Sequence, residues 1–170
     1  YLDPQEGIRF RGKTISETFE MLPKAEGSNY PTVEAFWFFL LTGEVPNEEQ
    51  LEAVMLEFKA RQHVPHYVFE IIRAMPIDTH PMTMLSTGIL AMQKDSVFHE
   101  FYSSGQFNKN TAWEYVYEDA FDIVARIPVL AAYIYNLKYR DNKQIEINRK
   151  LDMGANFAHM IGQSKEYEDV

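Results

Sequence analysis

The chain has 170 residues, 46% of them hydrophobic, with a formal charge of −9 and no cysteine. That length and apolar content suit one domain with a sizeable core and exclude an intrinsically disordered chain. The acidic balance without a basic block argues against nucleic acid or anionic membrane as main partners, and the lack of cysteine excludes disulfides and thiolate metal sites.

Ile8-Arg9-Phe10-Arg11 alternates apolar and charged residues, the period of a strand. Gly12-Lys13 then turns the chain into Thr14-Ile15, so a small β-hairpin is expected near the N-terminus. Ser16 reads as a helix N-cap with Glu17 and Glu20 close behind, and Pro23 ends that helix after Leu22. Residues 24–31 hold Gly27, Ser28, Asn29 and Pro31 and form a loop. Thr32 caps the next helix, which is densely apolar from Val33 to Leu41 and closes at Gly43. Asn47 caps a third, on which Leu51, Val54, Met55 and Phe58 share one face. Pro65 starts a fourth segment through Val68, Ile71 and Ile72, and Pro76 stops it.

His80-Pro81 opens a fifth helix. No charge occurs from Pro81 to Met92, and small residues (Ser86, Thr87, Gly88, Ala91) are set among large ones. A helix apolar nearly all round requires burial on several sides, and its small residues let a neighbour come close. Residues 96–103 form a short helix before Gly105. The longest periodic stretch runs from Thr111 to about Tyr139, acidic early and basic late, which complements the helix dipole. Pro128 is expected to kink it. Residues 141–146 read as a loop, and Leu151 to Ile161 as a last helix stopped by Gly162. The fold class is mainly α. No uncharged apolar run reaches about 18 residues, so no membrane span is expected. Tyr1 stands where a Met would start the chain, and no cleavable leader is visible, as in a processed or partly observed protein.

The residues alone point to no reaction. His63-Val64-Pro65-His66 invites a metal, but Pro65 spoils helical presentation of the pair, and two surface histidines are the plainer reading. His80 reads as a capping residue, and His159 and His99 as ordinary helix residues. No Gly-rich phosphate loop and no Gly-x-Ser-x-Gly elbow occurs. Arg9 and Arg11 would share one strand face and could hold an anion, or pair with acidic neighbours. Lys109 precedes the long helix, where a cation opposes the dipole; a ligand role and a solvated lysine both fit.

Runs spread along the chain resemble the citrate synthases of the eukaryotic mitochondrial type. They are Leu2-Asp3-Pro4 with Glu6-Gly7-Ile8-Arg9-Phe10-Arg11-Gly12, Met21-Leu22-Pro23, Phe36-Trp37 with Leu41-Thr42-Gly43, and Pro46-Asn47-Glu48-Glu49-Gln50. Further on come His80-Pro81-Met82 with Leu85-Ser86, Trp113-Glu114 with Tyr117-Glu118-Asp119, and Lys150-Leu151-Asp152 with Asn156-Phe157. Their order and spacing together are specific.

The resemblance implies the citrate synthase fold, with residues 1–170 as part of the large helical domain and the small domain and most active-site segments absent. It implies an acyltransferase that condenses oxaloacetate with acetyl-CoA and water to citrate and CoA, in the mitochondrial matrix. Acetyl-CoA is a substrate there, and no cofactor is tightly bound. It also implies a homodimer through helices 81–93 and 111–139. The family's chemistry uses a carboxylate to take a methyl proton from acetyl-CoA and histidines to assist enol formation and addition. Those groups belong to motifs not found in this stretch, so no catalytic residue is assigned and the stretch alone is expected to be inactive. One contact carries over. The family has an arginine four residues before the Trp of Trp-Glu that meets CoA phosphate from the neighbouring subunit, and Lys109 stands in that place. It keeps the charge and loses the guanidinium fork, and its loop is longer. The alternative is a non-catalytic citrate-synthase-like structural subunit.

Overall fold

The computed structural model describes residues 2–105 and 107–163. They form helices α1 (Ile15–Met21), α2 (Val33–Thr42), α3 (Glu48–Arg61), α4 (His66–Ala74), α5 (Pro81–Ala91), α6 (Val97–Ser103), α7 (Ala112–Tyr139) and α8 (Met153–Met160), with a 3₁₀ turn at Met92–Asp95. The fold is mainly α, as the sequence pattern predicts.

The long helix organises the rest. α3, α5, α6 and α8 all pack along α7. Before Pro128, Phe121 and Ala125 join Phe58 of α3 and Met153 of α8 in one apolar cluster. After Pro128, Leu130 and Ile134 join Val68 and Ile72 of α4 and Met84 of α5 in another. A third cluster holds Leu22, Ala35 and Phe39 around α2. Removing a side chain such as Leu130 from water contributes about 1.5–3 kcal/mol. α7 runs through Pro128 as one helix. The ring deletes one backbone bond, and the proline falls between the two packing zones. α7 meets the length and composition of a membrane span, yet five helices, α3 to α6 and α8, pack on it and ion pairs join it to α3.

Local signals explain most boundaries. Thr32, Asn47, Ser96 and Asp152 each accept a backbone N–H of the first helical turn, which satisfies an otherwise orphaned donor. Gly43 ends α2 at φ 80°, a left-handed position that glycine enters without a Cβ penalty.

Two expectations are corrected. The N-terminal β-hairpin does not form: Phe10 and Lys13 exchange two backbone bonds of 2.7 and 2.9 Å, but the bridge is isolated and no strand exists among the described residues. The turn is real, with Arg11 and Gly12 at φ 51° and 82°. Its second arm has no length, because Thr14 already caps α1. The cap itself is Thr14 rather than Ser16. Thr14 Oγ1 accepts from Glu17 N at 3.2 Å, and Glu17 Oε2 accepts from Thr14 N at 2.7 Å. That reciprocal pair satisfies two orphan donors, which Ser16 cannot match.

Candidate functional site

The approach to α7 is built on Asn108. Its carbonyl accepts from Thr111 N at 3.2 Å and Ala112 N at 2.9 Å, and its side chain accepts from Asn110 N at 3.0 Å. Lys109 sits on this turn, exposed, and among the described residues no hydrogen bond or ion pair holds its amine. Thr111 makes no side-chain cap bond; backbone carbonyls serve instead, Asn108 O taking the Ala112 N–H and Thr111 O taking that of Glu114 at 3.1 Å. Glu114 in the first turn offsets part of the positive field.

Aromatic side chains brace the same end. Phe101 of α6 stacks on Tyr115 of α7 with ring centroids 4.0 Å apart. Phe107 packs edge-on against Tyr102 at 5.3 Å. Asp119 anchors α6 from the side. Its carboxylate accepts from Ser96 Oγ at 2.5 Å, Val97 N at 2.8 Å and Phe98 N at 3.3 Å.

A second feature is the outward face of α7. Val116, Tyr117 and Ile123 follow Trp113 by three, four and ten residues and form one exposed stripe with it; Trp113 is 64% exposed. On α5, Met82 and Leu90 are exposed, Leu90 at 74%. Leu90 and Ile123 line a shared hollow of about 250 Å³. The inward side of α5 is fully packed, with Met84 and Gly88 buried. The charge-free helix therefore buries one side within this chain and presents the other outward.

α3 and α7 are joined by charge. Arg61 meets Glu57 at 2.8 Å, Glu118 at 2.7 Å and Asp122 at 3.0 Å, and Arg126 meets Asp122 at 3.2 Å. Burial opposes the charge on Arg61, and the three carboxylates outweigh it and hold the proton more firmly than usual.

The histidines fall where the plainer readings put them. His63 and His66 are exposed on either side of Pro65, which starts α4, and His66 pairs with Glu70 at 3.5 Å. They edge a cavity of about 340 Å³ whose deeper lining includes Tyr133 and Asn136. His80 caps α5, its Nδ1 accepting from Met82 N at 3.2 Å. Among the described residues no group of three histidines or acids could hold a metal ion. Arg9 and Arg11 separate: Arg9 pairs with Glu6 at 2.6 Å, and Arg11 donates to the carbonyls of Leu40 and Leu41 at the end of α2. Sequence reasoning missed Glu34, whose carboxylate is buried against α8. Its only signal was an acid in a first helical turn, a position usually solvated.

This arrangement of helices is that of a known scaffold. It superposes on the citrate synthase of Pyrobaculum aerophilum with a TM-score of 0.72 at 24% identity, covering 89% of this chain and 35% of that one. The fold is thus one found in citrate synthases. The family model described as "Citrate synthase, C-terminal domain" matches residues 1–170. The mitochondrial citrate synthase of Daucus carota is 45% identical over 161 residues, 95% of this chain and 34% of the relative. The peroxisomal citrate synthase of Saccharomyces cerevisiae is 38% identical over 165 residues, 97% of this chain and 36% of the relative. The chain belongs to the citrate synthase family. It spans about a third of the length of the curated relatives it matches.

Proposed function

We propose that these residues are a stretch of the large domain of an active citrate synthase, joining oxaloacetate to acetyl-CoA with water to give citrate and CoA. The observation that carries this reading is the match of the family model across the whole chain. Within the enzyme the stretch supplies scaffold and an interface between two copies. The outward apolar faces of α5 and α7 support that role, because an apolar patch of this kind marks an interaction surface. Lys109 meets a phosphate of acetyl-CoA bound by the neighbouring copy. Its exposed amine, one turn from the start of α7 and without an acidic partner among the described residues, suits an anion. The mitochondrial matrix is the compartment, in keeping with the name of the carrot relative, while the yeast peroxisomal one marks the alternative address.

The test is thiol release by the full-length protein. Oxaloacetate-dependent release of CoA from acetyl-CoA is expected. A folded full-length protein that releases none would assign the chain to a structural subunit that kept the scaffold and lost the chemistry.

A further inference from the structure

Among the described residues, Glu34 is the one carboxylate the function above does not use and the fold nevertheless buries, at 1% exposure. It lies in the first turn of α2, two residues after the Thr32 cap. Its Oε1 accepts from Met153 N at 2.9 Å, the first N–H of α8, so one side chain joins the N-terminal ends of two helices. Its Oε2 is buried without a partner. One turn along α2, the Trp37 indole N–H is buried and unpartnered as well, and that ring packs in the cluster that contains Met153.

The charged groups facing Glu34 come from both elements packed against α2. Asp152 at the start of α8 repels its charge, and Lys59 of α3 attracts it. Burial pushes the carboxyl up most strongly; its own N–H and that of Met153 pull it down, and the balance lies upward. The two ends of α8 are held differently. At its C-terminal end, Asn136 Nδ2 donates to Met160 O at 2.8 Å and Arg140 donates to Ile161 O at 2.5 Å. At its N-terminal end the ties are Glu34 and the Asp152 cap.

We propose that Glu34 is a proton-operated latch on the N-terminal end of α8: neutral, it packs between α2 and α8, and ionised beside Asp152 in a dry interface it loosens that end. The sign follows from linkage. Where the folded carboxyl holds its proton and the unfolded one has lost it, the native state binds more protons, so its stability falls as pH rises. The loss begins as pH rises through the ordinary carboxylate value, where the unfolded group gives up its proton, and is complete once the buried group has ionised.

Amide exchange of the full-length protein, corrected for intrinsic rates, tests this across that range of pH. Protection of Met153 is expected to fall as pH rises, while amides near Met160 keep theirs. In Glu34→Gln the fall is expected to vanish. In Asp152→Asn, which keeps a capping oxygen, it is expected to shrink and move to lower pH. The Asn variant serves alone if the Gln variant does not fold. A wild-type pH profile in either folded variant would overturn the latch. Catalytic turnover is scored separately, so failure of the latch leaves the enzyme reading untouched, and failure of turnover leaves the latch.

Discussion

Gly88 and Leu130 set how closely α5 and α7 approach: a β-carbon on Gly88 would lie 2.6 Å from Leu130 Cδ2 and 3.2 Å from Cδ1. Leu130 is fully buried and has little room to retreat. Gly88→Ala is therefore expected to destabilise the full-length protein by about 1–2 kcal/mol, after the gain in helix propensity that alanine brings. Adding Leu130→Val should recover part of that loss if the clash is its cause. Chemical denaturation of the single and double variants measures the coupling, and strictly additive losses would contradict it.

Gly162 and Arg140 form a tighter version of the same relationship. Gly162 sits at φ 79°, and a Cβ there would fall 1.6 Å from an Arg140 guanidinium nitrogen. That nitrogen donates to Ile161 O and satisfies the end of α8. Gly162→Ala should cost about 2–3 kcal/mol through backbone strain and displacement of the arginine. Arg140→Ala should cost less, since it removes the bond without the clash. Thermal unfolding of both variants ranks them, and the reverse order would contradict the argument.

Arg61 holds two acids of α7 that would otherwise repel each other one turn apart. Arg61→Ala is expected to lose about 1–2 kcal/mol, and Arg61→Lys to lose part of that, because an ammonium cannot fork between Glu118 and Asp122. The deficit should narrow in high salt, which screens the released repulsion. Urea melts at two ionic strengths check this; a deficit unchanged by salt would point to packing against Phe121, whose ring lies 5.6 Å from the guanidinium carbon.

Lys109 should act on binding alone. In the full-length enzyme, Lys109→Ala is expected to raise KM for acetyl-CoA about fivefold, roughly 1 kcal/mol, with kcat unchanged. Lys109→Arg should keep or improve the wild-type value by restoring a forked donor. Steady-state kinetics with acetyl-CoA varied decide it, and an unchanged KM in the Ala variant would return Lys109 to a solvated role.

Much of the helical framework was legible because its punctuation is chemical. Thr32, Asn47 and Gly43 act where their side chains or lack of one predict. The hairpin was misread because alternation over four residues cannot reveal that Thr14 leaves at once as a cap. The cap at Asp152 was not legible because Leu151, just before it, continues the apolar spacing of α8 while lying outside the helix. Glu34 was illegible for a deeper reason: its burial depends on α8, 119 residues away in sequence. Lys109 is the opposite case. Its position is plain in both sequence and structure, and the role proposed for it requires a second copy.

The charge-free sequence of α5 predicted burial on several sides, and this chain covers only one of them. The account therefore rests on a second copy covering Leu90 and the stripe from Trp113 to Ile123. Sedimentation of the full-length protein at micromolar concentration tests this most directly. Twice the chain mass is expected for wild type, and a single chain mass with unchanged helical circular dichroism for Leu90→Arg, since Leu90 is exposed within its own chain. A wild-type protein that sediments as a folded monomer would contradict the account.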